Sequence, residues 1–89
     1  MHRILEIKIV GNHQIQLKFE DGLIRIIDFR PFIKNGLSKD LSDIGFFNQV
    51  EIESGGGLSW PNGFDFCPNF LHDYIREEIQ HKEVMNEAL

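Results

Sequence analysis

The side chains of this 89-residue chain best suited to metal binding are its four histidines. His72 and His81 lie nine residues apart on a predicted helix, about two and a half turns, so they occupy opposite faces of it. His2 and His13 flank the first predicted strand. Because no His-x-x-x-His or His-Glu-x-x-His spacing occurs, the sequence predicts no metal site and no cofactor.

The single cysteine, Cys67, is the one candidate for thiol chemistry, and a lone cysteine forms no intrachain disulfide. It stands just before a predicted helix, where the helix dipole favours a thiolate. Phe66 and Pro68 flank it, however, and buried thiols are usually inert packing groups. The sequence therefore favours packing over catalysis, and we predict no catalytic residue.

Residues 60–68 form the densest block of stereochemically special residues, with the only tryptophan and two of the three prolines. Asn62-Gly63 is a turn-forming pair, and Asp65 could accept hydrogen bonds from amides of that turn or of the helix that Pro68 begins. One interpretation is a structural joint with Trp60 packed in the core; the other is a binding site. The candidate binding or structural motif is Trp60, Asn62, Gly63 and Asp65.

Alternating apolar and polar residues predict three antiparallel strands in the first third of the chain, at about 3–10, 14–20 and 23–29. Asp21-Gly22 joins the second run to the third and is a strong hairpin signal. The third run is rich in isoleucine and resembles a central strand buried on both faces. These elements form an antiparallel meander.

The rest of the chain predicts a short helical connection, a second hairpin and a C-terminal helix. Ser42-Asp43 can cap a helical turn, and Gly55–Gly57 can turn the second hairpin. From Pro68 onward, apolar residues recur at helical spacing. We predict one α+β domain spanning 1–89, with its core at about 3–79, the helix packed on the sheet, and 80–89 as a helical or frayed tail.

Charge and hydropathy limit the classes of partner. The net charge is −5 and the nine basic residues are scattered, which disfavours direct nucleic-acid binding and suits a basic protein partner. No signal peptide is visible, and no apolar run is long enough to span a membrane. We therefore expect a cytoplasmic protein.

The order of these motifs resembles a known family. Phe19-Glu20-Asp21-Gly22, then 27–31 (IDFRP), 41–43 (LSD) and 60–65 (WPNGFD), make the chain similar to the small prokaryotic domains of unknown function 2442, from about Ile4 to Tyr74. The resemblance implies a compact α+β fold and a gene beside another small domain, an arrangement like a toxin–antitoxin pair. Some relatives carry an additional helix-turn-helix domain, which we do not expect here because the chain stops at Leu89. The resemblance implies no catalytic residues.

The expected function is a non-enzymatic protein-interaction module, an antitoxin-like partner of a small neighbouring protein, with a homodimer as a further option. The alternative is a small-molecule-binding domain or weak hydrolase with its site around the Trp60–Cys67 junction.

Overall fold

The structure is a computed structural model that describes residues 2–74. The predicted continuation of the C-terminal helix and the tail at 80–89 lie outside these residues. The strands are β1 (Ile4–Gly11), β2 (Gln14–Phe19), β3 (Ile24–Asp28), β4 (Glu51–Ile52), β5 (Leu58–Ser59) and β6 (Asp65–Phe66). The helices are two 3₁₀ segments, Arg30–Phe32 and Gly36–Ser42, followed by α1 (Ile44–Phe47) and α2 (Pro68–Asp73).

The predicted meander is confirmed: β1, β2 and β3 form an antiparallel sheet in that order. Alternate residues of β2, namely Ile15, Leu17 and Phe19, have no exposed surface and form the floor of the core. At the β2–β3 turn, Gly22 has a φ of +93° and the Asp21 carboxylate accepts the Leu23 N–H at 3.0 Å. The Asp-Gly pair thus makes a hairpin turn closed by the aspartate itself.

The expectation that the third strand is central and buried on both faces was wrong. The central strand is β2, because β3 pairs only with β2 among the described strands. Ile24 and Ile26 of β3 are 55% and 57% exposed, whereas Ile27 is buried. An isoleucine-rich run indicates a strand, but its place in the sheet depends on pairing across the chain.

The second sheet contains the predicted hairpin and one strand that the sequence did not predict. β4 pairs with β5, and β5 also pairs with β6, which lies inside the 60–68 block. Gly57 is required by this third strand, since a Cβ built there would lie 2.2 Å from the Phe66 carbonyl oxygen. The Ile4 N–H donates to the Gly56 carbonyl at 2.9 Å, so β1 of the first sheet is joined to the turn between β4 and β5 of the second.

The helical connection and the C-terminal helix complete the α+β fold. Asp43 caps α1, as predicted, by accepting the Phe46 N–H at 3.0 Å. Pro68 begins α2, and the fully buried side chain of Leu71 packs this helix against the core. The Arg25 guanidinium, from β3, donates to the Leu71 and His72 carbonyls at 2.7 and 2.8 Å, which ties the end of α2 to the first sheet.

Asp28 ends β3 and turns the chain into the first 3₁₀ segment. Its side chain is buried, accepts the Arg30 N–H at 2.9 Å and receives the Arg30 guanidinium through Nε and Nη2. Burial of a carboxylate requires such compensation. Asp28 therefore ends the strand and also forms a bidentate ion pair with Arg30.

No helix within residues 2–74 is long and apolar enough to cross a membrane.

Candidate functional site

Trp60 lies in the core and not on a recognition surface. Its side chain is almost fully buried, and the indole N–H donates to the Phe47 carbonyl at 2.9 Å. Four phenylalanine rings stand within 6.1 Å of it, centroid to centroid: Phe29, Phe47, Phe64 and Phe66. Both the apolar body and the polar atom of Trp60 are therefore used inside the protein.

Asn62 ties the turn after Trp60 to the helical connection. Its amide group donates to the Leu37 carbonyl at 3.0 Å and to the Asp40 carboxylate at 3.1 Å, while its Oδ1 accepts the Phe64 N–H at 2.9 Å. Gly63 has a φ of +93°, which glycine adopts readily. The sequence indicated the turn, but not the bonds across more than twenty residues.

Asp65 and Cys67 differ from their expected environments. Asp65 is exposed on β6, and within residues 2–74 its carboxylate has no hydrogen-bond partner; Asn62 closes the turn instead. Alternation along β6 points Asp65 away from the side on which its neighbours Phe64 and Phe66 pack. Cys67 is exposed and precedes α2 without a capping bond, so the expected buried thiol was wrong.

A second group of polar residues meets where the start of the chain, the β2–β3 turn and α2 come together. We call His2, Asp21, His72 and Asp73 the His2–His72 cluster. The His72 ring lies between two carboxylates, with Nε2 at 2.8 Å from Asp21 Oδ2 and Nδ1 at 2.9 Å from Asp73 Oδ1. The His2 ring stacks on it at 3.6 Å between centroids and 12° between planes.

The imidazole and the carboxylates of the cluster stabilise each other's charged forms. The hydrogen bond that His72 donates to Asp73, followed by the one that it donates to Asp21, raises the pKa of His72 above its ordinary value. The Leu23 N–H, followed by the His72 hydrogen bond, lowers the pKa of Asp21, and the His72 hydrogen bond lowers that of Asp73. An imidazole that donates from both nitrogens is an imidazolium, so the cluster favours a positive charge at this place.

Sequence spacing missed this cluster because its members come from three distant segments. One part of it had a signal: a hairpin that pairs Ile4 with Phe19 brings His2 close to Asp21. No sequence signal indicated that α2 would approach this place. Its position depends on the burial of Leu71 in the core and on the contact between the His72 and Phe19 rings, whose centroids lie 4.8 Å apart. The remaining described histidine, His13, donates from Nε2 to the Leu41 carbonyl at 2.7 Å and serves the fold.

An exposed apolar surface lies on the first sheet. Ile24 and Ile26 point to its outer face, beside Lys18 and Gln16 of β2. We call these two isoleucines, with the side of β3 that pairs with no other strand within residues 2–74, the β3 edge. Antiparallel sheets commonly present polar side chains on the solvated face, so two half-exposed isoleucines on an outer strand distinguish this surface.

Fold and site together define a small α+β protein with a packed aromatic junction, an imidazole–carboxylate cluster and an apolar sheet edge. The family model described as "Protein of unknown function (DUF2442)" matches residues 4–77. The chain therefore belongs to the DUF2442 family, which confirms the resemblance. No curated protein and no solved structure is similar enough to match it.

Proposed function

We propose that this protein is a non-enzymatic protein-interaction module that acts in the cytoplasm as an antitoxin-like partner of a small neighbouring protein. The observation that carries the proposal is the β3 edge. The toxin–antitoxin-like gene arrangement implied by the family resemblance supports the identity of the partner as the neighbouring gene product.

The β3 edge has the two properties that strand addition requires. Its backbone has no paired strand on one side within residues 2–74, so a strand of the partner can form main-chain hydrogen bonds there. Ile24 and Ile26 are each more than half exposed, and burial of such a side chain contributes roughly 1 kcal/mol or more. Main-chain bonds supply the orientation, and the two isoleucines supply the apolar contact.

The net charge of the chain indicates the charge of the partner. A net charge of −5 attracts a basic protein and accelerates its encounter at low ionic strength. We therefore expect a small basic partner whose association rate falls as salt increases. Since charge acts mainly on the rate of encounter, the bound complex depends chiefly on the β3 edge.

The test is co-expression of the full chain with the protein encoded beside it, followed by co-purification. Ile24→Lys and Ile26→Lys should each abolish or sharply reduce recovery of the partner and should release the partner's toxicity in cells. Leu37→Lys is the matched control, because Leu37 is 55% exposed like Ile24 but lies on the second 3₁₀ segment. Partner binding that survives both isoleucine variants, or the absence of any complex with the wild-type chain, would contradict the proposal.

The second candidate function, a small-molecule site or weak hydrolase around the Trp60–Cys67 junction, has less support. Trp60 and Asn62 direct their polar atoms to partners within the fold. Thermal-shift screening against metabolites tests this alternative, because a ligand at 100 times its dissociation constant stabilises by roughly 2.7 kcal/mol.

A further inference from the structure

We propose that the His2–His72 cluster is a binding site for a divalent transition-metal ion such as Zn²⁺, with His2, Asp21 and His72 as ligands and Asp73 as the residue that orients His72. This site is separate from the β3 edge, and it does not depend on the proposed protein partner.

The Asp21 carboxylate lies close to a ring nitrogen of each of the two histidines. Asp21 Oδ2 lies 2.8 Å from His72 Nε2 and 3.9 Å from His2 Nδ1. Donors bound to Zn²⁺ at 2.0–2.1 Å in a tetrahedral arrangement stand about 3.3 Å apart, between these two distances. Each of these two separations therefore differs from the tetrahedral spacing by well under 1 Å.

Asp73 supplies the outer contact that metal-bound histidines have. Ligating imidazoles usually donate their second N–H to a carboxylate, which sets the tautomer and the direction of the ring. His72 does this through Nδ1 to Asp73 Oδ1 at 2.9 Å, and its Nε2 then faces Asp21. Two carboxylates on opposite sides of one imidazole thus have different roles, one as ligand and one as support.

The cluster is compact and accessible. One donor atom from each of His2, His72 and Asp73 lies within 4.8 Å of the others. The side chains of His2 and Asp21 are 35% and 45% exposed, so an ion can enter and a water molecule can complete a tetrahedral shell.

Binding requires two changes. The proton between His72 Nε2 and Asp21 Oδ2 must leave, so that the ion takes its place and a proton is released to solvent. The His2 ring must also tilt out of its parallel stack on His72, because the nitrogen lone pairs of stacked rings lie in two parallel planes and do not converge on one ion. The His2 ring can make this rotation, because the contacts that hold it are weak ones: the stack on His72 and the Asp21 carboxylate 3.9 Å away. The backbone of His2 stays in place through its hydrogen bond to Asn69.

The experiment is calorimetric titration of the metal-free full chain with ZnCl₂, without an affinity tag because polyhistidine binds the same ions. We expect one saturable site per chain, proton release on binding and a rise in melting temperature that grows with zinc concentration. Co²⁺ in place of Zn²⁺ should give the visible absorption of a tetrahedral nitrogen–oxygen site.

Variants assign the ligands. His2→Gln should weaken zinc binding about tenfold or more, and Asp73→Asn should weaken it about 10- to 100-fold and alter the Co²⁺ spectrum, as loss of an orienting carboxylate does. Asp65→Asn, which alters an exposed aspartate on β6, is the control and should bind zinc like the wild type. His72→Gln is read only alongside its circular dichroism, because this ring also contacts Phe19.

Two results would overturn the assignment: no saturable zinc binding by the wild-type chain, or undiminished affinity in both His2→Gln and Asp73→Asn.

Discussion

The Trp60–Pro68 junction and the His2–His72 cluster are opposites in sequence and in structure. The junction is continuous in sequence and rich in special residues, and the polar side-chain atoms of Trp60 and Asn62 bind within the fold. The cluster combines ordinary residues from three segments, and its carboxylates are largely exposed. A block that is conspicuous in sequence can therefore be a structural joint, while the groups best placed for chemistry are assembled by the fold.

The largest effect of a substitution on stability is expected at Trp60. Trp60→Ala removes a buried ring that contacts four phenylalanines and also removes the indole hydrogen bond to the Phe47 carbonyl, so we expect a loss of about 3–5 kcal/mol in the free energy of unfolding. Urea denaturation measures it. Phe70→Ala is the control, since Phe70 is 46% exposed and its loss should cost much less. Equal costs at the two positions would show that Trp60 is not a core anchor.

The next effect is expected at Gly57. Gly57→Ala places a Cβ against the Phe66 carbonyl, so the β5–β6 pairing must open, at a cost of about 3 kcal/mol. Gly55→Ala is a matched control, because a Cβ there meets no atom within 4 Å. If thermal unfolding of the two variants is the same, β6 does not lie against β5 as described.

A smaller effect separates Asn62 from Asp65. Asn62→Ala loses bonds to Leu37, Asp40 and Phe64 and should lower the free energy of unfolding by about 1–2 kcal/mol. Asp65→Ala should change it by less than about 0.5 kcal/mol, as exposed substitutions do. The reverse order in chemical denaturation would restore Asp65 as the residue that closes the turn.

The smallest effect on stability is expected in the cluster. His2→Gln should leave the metal-free chain with a melting temperature within about 2 °C of the wild type, because surface substitutions change stability little. Differential scanning fluorimetry without metal checks this. A large loss of stability would indicate that the stacked histidines serve the fold as Trp60 does.

Local patterns predicted much of the fold. Alternation and the Asp21-Gly22 pair were sufficient for the meander, and Pro68 marked the start of α2, because each depends on residues close in sequence. Two features were not predictable in this way. The outer position of β3 and the existence of β6 depend on which strands pair across the chain.

The candidate functional residues also divide into those that the sequence could predict and those that it could not. The turn at Asn62-Gly63 follows from residue type and neighbours. The sequence left open whether Trp60 packs in the core or lines a binding site, and its burial is seen only in the structure. The His2–His72 cluster could not be found from histidine spacing, since His2 and His72 meet only when β1 and α2 converge on the β2–β3 turn. The exposed face of β3 was missed for the same reason.

The claim that the chemistry of this chain lies in the cluster and not in the junction has one direct test. Zinc titration of the isotope-labelled full chain can be followed by nitrogen–proton correlation spectra of the histidine rings, the single indole N–H and the Asn62 side-chain amide. We expect the signals of the His2 and His72 ring nitrogens to shift together and saturate, while those of the Trp60 indole, the Asn62 amide and the His13 ring stay in place. Shifts confined to the Trp60 and Asn62 signals, with the His2 and His72 rings unchanged, would contradict the claim.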